Sequence, residues 1–284
     1  MRIITRTVFG AAMQTAQYLG KSYQVQESST LNEKFGVQAN TLPSSEERHA
    51  VKFFCIGNGG HRAVTGADGL SYTTPNNHAA TDAACFNHIP FVLREIANDL
   101  SIEQRAQYGL RRIETHNGQQ YVAYYAKRLV LDNVNVNLQK TSVEGSNQTT
   151  NPFVPTSANL SPTPLGNDLG DSEVISASGE YVSGSAVVTI NFNSADADEL
   201  REVARVLYGD EKYAVISEIA LVGGVDRTVT GSAAGSSNIN YLEVIAAQVT
   251  TFIATYYQLN MQNNGFTFTA DVGIAEPLFV VEEE

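Results

Sequence analysis

Five side chains able to ligate a metal or attack an electrophile, Cys55, His61, His78, Cys85 and His88, fall between positions 55 and 88. Cysteine thiolate and imidazole nitrogen are the ligands of structural zinc. The spacing is C-x5-H, then H-x6-C-x2-H, and only Cys85 with His88 has a familiar short interval. Paired knuckles are missing, and Cys55 lies in the apolar run VKFFCI, so buried thiols and loop histidines are the plainer expectation. A Cys/His nucleophilic pair, Cys85 with His61 or His78, is the other chemistry these types allow, but no nucleophile motif flanks it. Gly57-Asn58-Gly59-Gly60-His61-Arg62 follows an apolar run and invites comparison with phosphate loops. It has no G-K-[ST] ending, and the dinucleotide pattern fails at Arg62. No cofactor is expected.

A second constellation is basic and aromatic. Arg94, Arg105, Arg111, Arg112, Lys127 and Arg128 interleave with Tyr121, Tyr124 and Tyr125. Strand alternation puts Tyr124 on the face opposite Tyr121 and Tyr125, which suits packing better than a base-stacking platform. Arg111, Arg112, Lys127 and Arg128 are therefore expected to pair with acidic surfaces of a neighbouring subunit or partner. Phe153 and Val154, in the Pro152–Pro155 segment, are expected to anchor an arm in a neighbour's pocket.

The elements that carry these residues follow from periodicity. Residues 1–20 show an i, i+3, i+4, i+7 apolar pattern and predict a helix rather than a signal peptide. Residues 21–50 are polar and irregular. Val51–Ile56 predicts a buried strand, and residues 57–80 a loop. His88–Arg94 is expected to be extended, because Pro90 opposes a helix interior. Ser101 with Gln104 has capping-box spacing and predicts a helix with Ile102, Ala106, Leu110 and Ile113 on one face. Asn117-Gly118 predicts a type I′ hairpin into a strand over 120–131. Residues 132–173 hold four prolines and few charges before Asp168, and predict an extended arm. Further strands are expected over 185–192, 213–222 (ended by Gly223-Gly224), 241–259 and 266–272, with a helix capped at Ser194 and a second hairpin at Asn264-Gly265. No regular βα order emerges. The expectation is α+β: a mixed or mainly antiparallel sheet with two or three helices and a long arm. Residues 1–50 read as an N-terminal helix and irregular segment, and 51–284 as a single domain projecting the arm at about 132–173.

The 284 residues carry 30 acids against 18 bases, a net charge of −12. That disfavours a free-standing nucleic-acid binder, which would show a basic face. Two cysteines exclude a disulfide scaffold and imply a reducing compartment. No apolar run is long enough for a membrane span.

Several stretches resemble virion structural proteins of large tailed bacteriophages. They are His88–Arg94, Asn98–Arg105, Tyr121–Tyr125, Asn151–Pro155 with Ser161–Pro164, the Tyr208-Gly-Asp-Glu and Ile216–Leu221 segments, Val225-Asp226, and Glu276–Phe279. The resemblance spans about residues 50–280 and has no signature motif. It implies a non-enzymatic particle component, located in the virion and assembled in the host cytoplasm. A ring-forming neck or head-to-tail connector is the first expectation. A tail-terminator ring and a capsid decoration protein follow. Partners would be copies of the same chain in a six- or twelve-fold ring, with portal, neck or tail proteins. DNA would pass an acidic lumen without specific binding. The alternative of another class is a zinc-binding or enzymatic domain built on Cys55, His61, His78, Cys85 and His88.

Overall fold

The computed structural model describes residues 3–25, 31, 34–37, 47–160, 173–232, 238–259 and 265–283. In chain order the elements are β1 (Ile3–Arg6), α1 (Val8–Tyr18), β2 (Ala50–Gly57), β3 (His61–Thr65), β4 (Ser71–Pro75), β5 (His88–Ile89), β6 (Val92–Glu95), α2 (Ile102–Arg105), β7 (Tyr108–His116), β8 (Gln119–Arg128), β9 (Asn137–Glu144), β10 (Asn147–Pro152), α3 (Ser157–Leu160), β11 (Glu173–Phe192), α4 (Ser194–Tyr208), β12 (Val215–Ser232), β13 (Asn238–Gln258) and β14 (Phe266–Glu283). The sheets are mainly antiparallel and helices are few, as the patterning predicts.

The chain divides into two compact units: residues 1–129 with 191–266, and residues 130–190 with 267–284. This differs from the expected single domain over 51–284 with an arm. Of residues 1–50, the described ones, 3–25, 31, 34–37 and 47–50, fall in the first unit.

The first unit is built on an eight-stranded sheet in the order β1-β13-β12-β2-β8-β6, with β5 added to β2 and β7 to β8. β2 is buried from Phe53 to Gly57 and β8 from Val122 to Ala126. Together with Phe91, Ile216, Ile219, Leu221, Phe252 and Ile253 they form the core. The Asn117-Gly118 hairpin is present, both residues having positive φ (52° and 79°), the geometry a type I′ turn requires.

Helix α4 covers part of this sheet with Ala197, Leu200, Val203 and Ala204. Its cap is Asn193, one residue before the expected Ser194. Asn193 and Asp196 satisfy each other's backbone N–H groups, and Gly209 ends the helix in the left-handed conformation at φ 78°. Helix α1 starts at Thr7, whose hydroxyl accepts from Gly10 N at 2.9 Å and donates to Val249 O at 2.8 Å. Residues 3–6 pair as β1 with Thr251–Ala254, so the expected helix loses its first turn to the sheet.

Three local expectations yield to tertiary packing. The capping box at Ser101 and Gln104 forms, but α2 lasts one turn and Ile102 is exposed. Tyr108 to His116 pair with β8 instead, and Gly109 lets that strand approach Phe53, since a Cβ there would sit 2.5 Å from its ring. Gly223-Gly224 does not turn the chain. β12 runs through it with register shifts against β13, because a Cβ on Gly223 would meet Met13 Sδ at 2.8 Å and one on Gly224 would overlap Val244. Residues 57–80 contain the hairpin β3–β4. The expected turn residue Asn264 lies outside the described residues.

The second unit is a four-stranded antiparallel sheet in the order β10-β9-β11-β14. The expected arm therefore contains a hairpin, β9–β10, turned at Gly145 (φ 62°) and extended by a Phe153 N to Leu138 O hydrogen bond of 2.9 Å. Its strands are polar and not apolar, which is why the composition reads as loop.

Candidate functional site

The most elaborate polar arrangement is centred on Glu218 in β12, whose side chain has no exposure. Its Oε1 accepts from His78 Nε2 at 2.9 Å and from Phe86 N at 2.8 Å. Its Oε2 accepts from Gly59 N and Asn87 N, both at 3.2 Å. Gly60 N donates to the neighbouring Ser217 hydroxyl at 3.0 Å. The glycines of the 57–60 segment are explained by this approach. A Cβ on Gly60 would lie 2.5 Å from Ser217 O, one on Gly59 2.8 Å from Phe86 Cβ, and one on Gly57 would overlap the Glu218 carboxylate. The segment that looks like a phosphate loop gives one backbone N–H, that of Gly59, to a carboxylate of the protein itself, and the other backbone donors to it are Phe86 N and Asn87 N.

His78 completes the arrangement. Its ring stacks between Phe252 (3.8 Å, 4° between planes) and Phe86 (4.3 Å, 16°). Asp82 Oδ2 lies 3.3 Å from Nδ1, close enough to pair electrostatically, although the alignment is not that of a hydrogen bond. A buried carboxylate without donors would be strongly destabilising, and four donors remove that penalty. The cluster ties the loops 57–60 and 76–88 to the centre of the sheet.

The five metal-type residues are not brought together. Cys55 is buried in β2, and burial pushes its thiol up to about 12. Burial, and next the charge of Glu218, raise Cys85 as well, the opposite of what a nucleophile needs. Burial, and next the nearby Lys34 ammonium, hold His88 down to about 3, so its ring is neutral. His61 packs edge-on against Tyr256 at 4.9 Å, and His78 is committed to Glu218. Among the described residues no three His, Cys, Asp or Glu side chains converge as a metal site.

The basic stripe is engaged inside the first unit, where the sequence reading had it facing a neighbour. Arg111, almost fully buried, donates to Asp99 Oδ2 at 3.0 Å, and Tyr124 Oη donates to the other Asp99 oxygen. Arg112 pairs with Glu243 and donates through Nε to Phe35 O at 2.8 Å. Lys127 pairs with Asp196. Arg128 pairs with Asp226 at 2.7 Å and lies over the Phe53 ring at 4.8 Å. Arg94 pairs with Glu199. These cations stitch strands to one another and to α4. Tyr121, Tyr124 and Tyr125 pack as alternation predicts, with Tyr125 Oη donating to Glu114 at 2.6 Å.

Phe153 and Val154 lie in the second unit. Phe153 is half-buried and Val154 is 69% exposed. With Val136, Leu138, Pro152 and Pro155 they line an open groove of about 420 Å³. Beside it β10 forms a sheet edge whose six residues are all exposed and uncharged.

The sequence reading missed Glu218 and Asp99 as organising residues. A signal existed for the first: in YAVISEIALV a lone acid interrupts a run that must be buried, and a buried acid needs donors. Neither the comparison with curated proteins nor that with solved structures finds a match. Among the described residues no helix is long and apolar enough to cross a membrane. One family does match, over residues 1–284, so the chain belongs to the family of unknown function DUF7208.

Proposed function

We propose that this chain is a non-enzymatic structural component of a tailed-phage virion, working as a homo-oligomeric ring at the neck or head-to-tail junction. The observation that carries the assembly part of this reading is the second unit. Its sheet leaves Val136, Leu138, Val143 and Val154 exposed at 44–77% beside an uncharged, fully exposed edge strand. Native edges are usually blunted by charge, proline or a covering element, and β10 has only Pro152 at its end. Such a surface suits strand addition or apolar docking by another subunit. The virion part rests on the sequence resemblance. The −12 charge supports a DNA-passage role, since a ring of acidic subunits repels phosphates in its lumen. A tail-terminator ring fits the same features.

Negative-stain imaging with mass photometry tests the reading. Closed rings on the order of six or twelve subunits are expected. Phe153→Ala should weaken assembly while the monomer's melting temperature stays unchanged. A strict monomer at high concentration, unchanged when portal or tail-tube proteins are added, would overturn it.

A further inference from the structure

The Glu218 cluster has an outer surface that its structural role leaves unexplained. Phe86 is 51% exposed, whereas Phe53, Phe54, Phe91 and Phe252 of the same unit are buried. It is not a loose side chain. Its inner face lies on the buried His78 ring at 4.3 Å, and His78 lies in turn on Phe252 at 3.8 Å. The Phe86 N–H is fixed to Glu218 Oε1 at 2.8 Å. With one face covered and half the residue exposed, the other ring face meets solvent in a fixed orientation.

A single exposed ring is ordinary on a protein surface. This one is bordered by a built chain of hydrogen bonds. Asn87 Nδ2 donates to Asn58 Oδ1, and Asn58 Nδ2 donates to Tyr208 Oη at 2.9 Å. The backbone behind them is held as well: Asn87 N donates to Glu218 Oε2 at 3.2 Å and Asn58 N to Asn87 O at 3.1 Å. Such a relay has a direction. It leaves the Asn87 amide oxygen as an acceptor at one end and the Tyr208 hydroxyl as a donor at the other. Asn87 and Tyr208 are both exposed, so both ends of the relay are accessible.

Charge narrows the ligand. Asn58, Phe86, Asn87 and Tyr208 are all uncharged, and the Glu218 carboxylate beneath them has no exposure and is closed off by its own donors. Nothing here neutralises a phosphate or an ammonium group. The surface instead offers an apolar ring face beside one acceptor and one donor. Its complement is a neutral molecule with a flat C–H face and hydroxyls on its rim.

We propose that this surface binds a pyranose sugar. One C–H face of the sugar packs on Phe86, one hydroxyl donates to Asn87 Oδ1, and another accepts from the Tyr208 hydroxyl. The site lies within the first unit and is independent of the assembly reading.

Saturation-transfer NMR on the full chain tests this. The probes are the methyl glycosides of glucose, galactose, mannose and N-acetylglucosamine, with sorbitol as an acyclic polyol. At least one glycoside should bind with a Kd on the order of 1–10 mM, and saturation should be strongest on the C–H protons of one ring face. Sorbitol should bind at least about tenfold more weakly, because it has no flat face to stack. Asn87→Ala and Tyr208→Phe should each weaken glycoside binding about three- to tenfold with little change in melting temperature, since each removes one exposed hydrogen-bonding group. Phe86→Leu, which still covers His78 but presents no ring, should weaken it at least about tenfold. Silence of all four glycosides at about 50 mM overturns the proposal, since a site with a stacking ring and two hydrogen bonds fills at that concentration. Binding that ignores all three substitutions overturns it as well, and so does sorbitol binding as strongly as the glycosides.

Discussion

His78 Nε2 and Glu218 Oε1 meet at 2.9 Å across 140 residues of chain, and neither side chain has more than 1% exposure. The pair joins the loop before β5 to a central strand. Glu218→Gln should destabilise the fold by about 2–4 kcal/mol, because the amide turns an N–H₂ toward backbone donors that need an acceptor. Urea unfolding measures this. A change below about 0.5 kcal/mol would mean that the loops hold without the carboxylate.

Cys55 and Cys85 should be silent toward thiol reagents at pH 8 in the native state and react fully in denaturant. Both are buried, and burial holds both thiols protonated. Fast native labelling of either would show that the core around β2 opens readily.

Where local chemistry and tertiary demand agree, the sequence is readable. Asn117-Gly118 can hardly be anything but a hairpin, and α4 has an apolar face, a cap and a terminating glycine. Where they disagree, local signals mislead. Ser101 and Gln104 cap a helix that lasts one turn, because β8 offers Tyr108 onward a full ladder of hydrogen bonds. Gly223-Gly224 has the residues of a turn but serves close packing of α1 and β13. The hairpin β9–β10 hides because its strands are made of Asn, Gln, Ser and Thr, with little apolar alternation to reveal them. The Glu218 cluster draws on four distant segments, and no spacing rule joins them.

Asp99 is shared by Arg111, Tyr124 and, at 3.6 Å, Arg105. Asp99→Asn should cost about 3–5 kcal/mol, since it leaves the Arg111 guanidinium buried without its counter-charge. The double substitution Asp99→Asn with Arg111→Met should recover a substantial part of that loss. A double-mutant cycle on unfolding free energies reads the coupling.

His88 is neutral in the fold, its value lowered to about 3 from 6.5. The unfolded chain therefore takes up this proton first as pH falls. The associated stability is complete above about pH 6.5 and is lost toward pH 3, at about 1.4 kcal/mol per pH unit. Between pH 7 and 4.5, wild type should lose about 2–3 kcal/mol more than His88→Phe, which cannot take up that proton. Parallel loss in both proteins would show that other groups govern the acid limb. His49 and His61, also lowered, act in the same direction in either protein.

β1, at Ile3–Arg6, finds its partner in Thr251–Ala254 of β13. During synthesis this means that the earliest strand to leave the ribosome waits for one of the latest. The 244 residues between Arg6 and Thr251, including the entire β9–β10 hairpin and α4, emerge while that place in the sheet is still unfilled, and a contact of such sequence separation is slow to close. Translation rate thus becomes a structural variable. A pause inserted before codon 238, when β13 has not been made, should prolong the exposure of the unfilled sheet and of the apolar underside of α1 and raise chaperone dependence, whereas the same pause placed about 60 codons into a C-terminal extension, when β13 has cleared the exit tunnel, should leave the yield of native protein unaltered.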